Sequence, residues 1–246
     1  MSDVDLADVA ADGALRAGAF VLLARLLGPR PELAGPDGVD ELDAHLAVLG
    51  VEAARLLVAR ARERGATDHD ALLRARRRLL GPGRTSPYET SYTGAGAADL
   101  ARLADVSGFY RAFGFQVSGE RPDHFVAELE LAAFLALGEA RARHAGDGEG
   151  AAIFADAFGA FLRDHLGTWL RPLADRLESV EPGGPYAPLV GAAAHLVEAE
   201  AERVGIDLRP VRPLEAAIPA ALEEDLPSCG GCPGAGAPPG PVPGPS

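Results

Sequence analysis

Apolar residues recur at three- and four-residue spacing from Leu15 to about Arg203, and no β-branched run alternates with polar residues, so the chain must bury its apolar surface with helices. Leu15, Ala19, Leu22, Leu23 and Leu26 form one stripe, ended by Gly28-Pro29. From about Asp40 to Arg64 a second carries Leu42, Leu46, Leu49, Ala53, Leu56, Leu57 and Ala61, and Gly50 is expected to divide it. Asp68 is placed to cap a helix that runs to Leu80 and exposes Arg74, Arg76, Arg77 and Arg78. A helix is predicted from about Ala97 to Phe113, closed by Gly114, and another from Pro122 to about His144, with Asp123 against the positive end of its dipole. Ile153, Phe154, Ala157, Phe158, Phe161 and Leu162 mark a further amphipathic helix, Trp169, Leu170, Leu173 and Leu177 another after Gly167, and Pro185 to Arg203 the last. The expectation is an all-α protein, a single compact helical domain of about eight to ten helices.

With 246 residues and 48% hydrophobic content the chain has enough apolar surface for a substantial core. We read residues 1–226 as the helical domain, with halves 1–80 and 97–226 joined by the segment 81–96. Residues 227–246 are mostly Pro and Gly and are expected to form a flexible tail. Thirty-six acidic residues against 23 basic ones, all of them Arg, leave a net charge of −13. That balance repels a phosphate backbone and attracts a basic peptide, so no nucleic-acid partner is expected. The start, Met1-Ser2-Asp3-Val4-Asp5, is acidic where a secretory signal is basic, and no apolar run reaches spanning length. A cytoplasmic protein without membrane insertion is expected.

Two segments draw attention for chemistry. Gly81 to Gly94 is too rich in turn formers for a long helix yet holds Tyr88 and Tyr92, and a structured loop of that length is a candidate for ligand contact. Glu120-Arg121-Pro122-Asp123-His124-Phe125-Val126-Ala127-Glu128-Leu129-Glu130 concentrates carboxylates and a histidine at a predicted helix start. On a helix Asp123 and Glu130 share one row, and His124 and Glu128 the next. The cluster reads as a metal site, an acid/base pair or a polar anchor for a ligand. From spacing alone the favoured reading is a first-turn carboxylate with an i,i+4 His/Glu pair on a solvated face.

The sequence lacks the Glu-x-x-His pairs of di-iron bundles, the Gly-x-Ser-x-Gly nucleophile elbow and, having no Lys, a Walker A loop. A helical metal-dependent hydrolase built on Asp123, His124 and Glu128 is the enzymatic alternative. Cys229 and Cys232, the two cysteines, form a single Cys-x-x-Cys: a weak metal candidate, a redox pair or an idle one, since two thiolates do not complete a zinc site.

The order of motifs carries a resemblance. Tyr88-Glu89-Thr90-Ser91-Tyr92, then Leu103 to Gly114 (LADVSGFYRAFG), then Glu120-Arg121-Pro122-Asp123-His124 leading into Glu128-Leu129-Glu130, with Phe158, His165-Leu166 and Trp169 beyond, resembles the TorD/DmsD family of redox-enzyme maturation chaperones over residues 15–205. The resemblance implies an all-helical, non-enzymatic fold, without a cofactor and monomeric or dimeric. It also implies a partner, the precursor of a molybdopterin-dependent oxidoreductase, met through its twin-arginine leader and catalytic subunit. By the same resemblance the peptide site draws on Tyr88, Ser91, Tyr92, Glu120, Pro122, Asp123, His124 and Glu128. Asp123→Ala is then expected to weaken peptide binding by roughly 1.5–3 kcal/mol with little loss of stability.

Overall fold

The protein is described by a computed structural model over residues 3–81, 84–93, 97–117 and 119–211. Cys229, Cys232 and the Pro/Gly-rich stretch lie outside the described residues, and so does the boundary at 226. Among the described residues there are ten α-helices: α1 (Asp3–Leu27), α2 (Gly38–Val48), α3 (Glu52–Glu63), α4 (His69–Leu79), α5 (Thr90–Thr93), α6 (Ala97–Ala112), α7 (Phe125–His144), α8 (Gly148–Phe161), α9 (Gly167–Val180) and α10 (Tyr186–Arg203). Extended pairing among those residues is limited to two isolated bridges, Leu80 with Thr85 and Tyr88 with His124.

The centre is α7. Phe125, Val126, Leu129, Leu131, Ala132, Leu135 and Ala136 bury it on nearly every side, as an all-round apolar helix requires. Helix α1 lies along one flank of α7 and α8 along another, while α10 packs against α9 and α3, so segments from before and after the 81–96 connection share one core. Its largest buried side chains include Trp169, Tyr186, Phe20, Phe125, Phe158 and Phe161. A charged staple crosses the core: Arg16 of α1, 4% exposed, donates from Nε to Glu200 at 2.9 Å and from Nη2 to Glu139 at 3.1 Å. Burial alone pushes the Glu139 carboxyl up, but Arg16, Arg143 and Arg203 together hold it below its ordinary value.

Gly50, at φ 71°, separates α2 from α3 as expected, and Asp68 caps α4 by accepting from the Asp70 N–H at 2.9 Å. Three local expectations change. Helix α7 opens at Phe125 and not at Pro122, because His124 supplies the cap: its Nδ1 accepts the Val126 N–H at 3.1 Å. Gly167 does not break the chain. Residues Leu162–Leu166 form a π-turn that joins α8 to α9, and Gly167 is there because an added Cβ would lie 2.4 Å from the Leu162 carbonyl and 2.6 Å from Leu208. Arg76 is half-buried and not part of an exposed face; Leu56 and Ile153, assigned to apolar stripes, point outward instead.

Beyond α10 the chain turns back. Ile206 packs where a Gly159 side chain would be, Leu208 at Gly167, and the Val211 N–H donates to the Thr168 carbonyl at 2.8 Å. That carbonyl is available because Pro172, four residues on inside α9, has no N–H to give it.

Candidate functional site

The loop 84–93 is fastened to the start of α7 by its backbone. Glu89 N–H donates to Asp123 O at 2.9 Å and Phe125 N–H to Pro87 O at 3.1 Å, which sets Tyr88 beside His124, ring centroids 5.5 Å apart and edge-on. Side chains complete the attachment. Asp123 has no exposed surface; its Oδ2 accepts from Thr90 Oγ1 at 2.8 Å and Arg121 Nη2 at 2.8 Å, and its Oδ1 from Arg121 Nε at 2.9 Å. The Arg121 guanidinium in turn covers the Tyr88 ring at 4.6 Å, an ordinary cation–π distance.

Beneath this layer is a second, in which Glu89, Glu128, His165 and Trp169 are buried. Glu89 faces His165 on the π-turn, Oε2 to Nδ1 3.0 Å, with Arg102 of α6 at 3.3 Å from Oε1. His165 Nε2 comes within 3.4 Å of Asp105 Oδ2 without hydrogen-bond alignment, a proximity and not a bond. Glu128 accepts from the Trp169 indole N–H at 3.0 Å through Oε2, while Oε1 has no hydrogen-bond partner among the described residues. Burial, with the Glu89 charge second, raises the Glu128 carboxyl well above its ordinary value, so it is held as the neutral acid far more readily than a surface glutamate. Tyr92 lies against Trp169 at 5.3 Å, donates to Ser86 O at 3.1 Å, and is pushed by burial up to about 12.

His124 is 2% exposed, and burial, with the Arg76 charge second, drives it down to about 3. A neutral imidazole whose Nδ1 accepts a backbone N–H is what a helix cap needs. Asp123, His124 and Glu128 thus do converge, but each is committed: Asp123 to Arg121 and Thr90, His124 to the cap, Glu128 to Trp169. A side chain so placed cannot be removed with little loss of stability, which corrects the expectation for Asp123→Ala. No group of three or more His, Cys, Asp or Glu able to hold a metal is found among the described residues.

Of the eight predicted peptide-site residues, Ser91 and Glu120 are exposed, Tyr88, Tyr92 and Pro122 half-buried, and Asp123, His124 and Glu128 buried. Tyr88 O–H donates to Glu120 at 3.2 Å, and Ser91 Oγ lies 2.7 Å from Ser86 Oγ. The outer layer is therefore Tyr88, Ser91, Glu120 and Arg121.

Beside it opens a cleft of about 380 Å³ between α7 and the segment after α6, walled by Tyr110, Phe115, Val117, Leu131 and Phe134. None of the predicted residues lines it. Its carboxylate is Glu130, partly exposed, raised by burial, and without an ion pair or side-chain hydrogen bond among the described residues. Tyr110 links cleft and loop by donating to Pro122 O at 3.3 Å. Sequence reasoning put Glu130 in a row with Asp123, yet Asp123 precedes the helix, so the row gave no warning of the cleft. Arg102 was missed as well; Glu89, Arg121, His165 and Trp169 entered only as positions in an ordered pattern.

Comparison with known proteins points one way. A family model described as "Nitrate reductase delta subunit" matches residues 36–175, more than half of the chain. Over 120 residues the chain is 39% identical to the selenate reductase assembly chaperone protein of Thauera selenatis, covering 46% of this chain and 60% of that one. Over 107 residues it is 37% identical to the chlorate reductase assembly chaperone protein of Ideonella dechloratans, covering 42% and 53%. The chain thus spans between half and two thirds of the length of these relatives.

Proposed function

The chain belongs to the nitrate reductase delta subunit family, the TorD-like proteins, and from that premise we propose that it is a maturation chaperone for a molybdenum-containing oxidoreductase and not an enzyme. It acts in the cytoplasm on the precursor, binding the twin-arginine leader, the unfinished catalytic subunit or both until the cofactor is inserted. The observation that carries this reading is the likeness to two relatives named as reductase assembly chaperones, within a chain whose family model covers the candidate site.

The geometry supports a division of labour. A leader has arginines followed by an apolar stretch; an apolar cleft with Glu130 in it, and Glu120 on the adjoining loop surface, offers both kinds of contact. Tyr88, Ser91 and Glu120 touch the peptide, and Tyr92, Pro122, Asp123, His124 and Glu128 shape the surface from behind. A net charge of −13 speeds the encounter with a basic segment and makes it weaken as salt rises.

Binding of a synthetic peptide of two adjacent arginines followed by alternating leucine and alanine tests this directly. Glu130→Gln should lower its affinity about fivefold to tenfold, the size of one partly solvated charge-assisted bond, with the melting temperature unchanged. Equal affinity for parent and variant removes Glu130 from the site.

A further inference from the structure

The cleft on α7 is one half of a longer depression. Between α7 and α1 lies a second hollow of about 320 Å³, lined by Ala17, Val21, Ala24, Ala133 and Leu137. Glu130 and Phe134 line both, so the two hollows adjoin along one row of α7. That row is turned outward: Glu130, Phe134 and Leu137 stand at i, i+4 and i+7, Glu130 exposed and the other two half-buried.

Charge is confined to two points of this lining. Glu130 stands where the hollows meet, and among the described residues it has neither an ion pair nor a side-chain hydrogen bond. Arg25 lines the second hollow from α1 and gives Nη1 to the Leu33 carbonyl at 3.2 Å. The remaining lining is apolar apart from Gln116 and the Tyr110 hydroxyl, which is given to Pro122 O. A partly desolvated carboxylate without a partner is complementary to a cation, and a segment that supplies one meets apolar wall in both directions from it. Filling one hollow alone leaves the apolar surface of the other in water.

We propose that the precursor's leader is held through apolar side chains on both sides of its arginines, with one arginine on Glu130. One flank enters the cleft against Phe115 and Leu131, the other the α1–α7 hollow against Val21 and Leu137. The proposal rests on the reading of the cleft as the leader's site, and it adds a requirement to that reading: the residues before the arginines are recognised as well as the apolar stretch after them. Arg25 adds an exclusion, since the flank that enters the second hollow meets a cation there and carries none of its own.

Three synthetic peptides test it, each built on two adjacent arginines. One has two leucines before the arginines and two after, the second has serines in place of the leading pair, and the third has serines in place of the trailing pair. Fluorescence anisotropy gives their affinities for the full chain. The doubly flanked peptide should bind the parent about tenfold more tightly than either of the others, as expected for leucines that are buried only in part. Val21→Gln and Leu137→Gln, on different helices and each checked by its melting temperature, should make one serine peptide bind as well as the doubly flanked one. Phe115→Gln should do the same for the other serine peptide. Equal affinity of the three peptides for the parent overturns the proposal, and so does a full tenfold preference for both flanks that survives in Val21→Gln and Leu137→Gln. Either result leaves the leader reading intact, because the peptides still bind. If none of the three binds the parent, the leader reading falls and the proposal falls with it.

Discussion

Replacing Asp123 by Ala should cost stability before it costs anything else. The carboxylate accepts from Thr90 Oγ1 at 2.8 Å and from two nitrogens of Arg121 at 2.8 and 2.9 Å, with no surface of its own exposed. Because Arg121 is about half exposed, its pair is discounted to ~1 kcal/mol for solvent screening. The Thr90 hydroxyl, which is buried and loses its acceptor, adds ~2 kcal/mol. The resulting destabilisation of ~3 kcal/mol, in a chain of this size, lowers the melting temperature by roughly 6–12 °C. Asp123→Asn keeps an oxygen facing Thr90 and should lose only ~1 kcal/mol. Urea denaturation of the three chains, followed through Trp169, gives the order parent, Asn, Ala. The loop that Asp123 fastens carries Tyr88 and Ser91, so peptide affinity falls with it. A melting temperature for Asp123→Ala within a degree or two of the parent would refute the view that this carboxylate holds the loop on α7.

Other perturbations read other parts of the site. His124 stays neutral down to about 3 in the fold but takes up a proton near pH ~6.5 when unfolded, so stability is lost as pH falls across that interval; His124→Asn, which still caps α7, should remove the loss, and urea midpoints at several acidic pH values check it. Glu128 has the opposite sign: its raised folded value means stability is lost as pH rises from ~4.5 through that value, and Glu128→Gln, which still accepts from Trp169, should be the more stable chain on the alkaline side. Gly167→Ala forces the Leu162 carbonyl and Leu208 apart and should cost ~1–3 kcal/mol, with exchange at the Val211 amide rising; an unaffected Val211 would contradict the packing of the chain after α10 against Gly167. Trp169 is the one tryptophan and touches Tyr92, so peptide that displaces the loop should shift its emission, a change Tyr92→Leu should alter.

The helices were legible in the sequence because burial of a helical face leaves a period in the apolar residues, and the cap at Asp68 and the hinge at Gly50 come from single-residue chemistry. The π-turn was not legible. Gly167 looks like a stop in one dimension, and only the approach of Leu208, 41 residues further along the chain, shows why a glycine is needed there. The site split in the same way. Turn-rich composition pointed to the Tyr88–Tyr92 loop, and the carboxylate cluster to Asp123 and Glu128. Whether a carboxylate faces solvent or the core depends on partners distant in sequence, Thr90 for Asp123 and Trp169 for Glu128, which no local pattern names. Glu130 shows the reverse: from its spacing it belonged with the buried cluster, and the structure turns it to the cleft.

The central claim is tested most directly by recovering the tagged full-length protein from the cytoplasm of its own host while the host's molybdenum-containing reductases are being made, and identifying by mass spectrometry what accompanies it. The account predicts the precursor of such a reductase, leader still attached, recovered with the parent chain. Recovery of no reductase precursor under those conditions would contradict it.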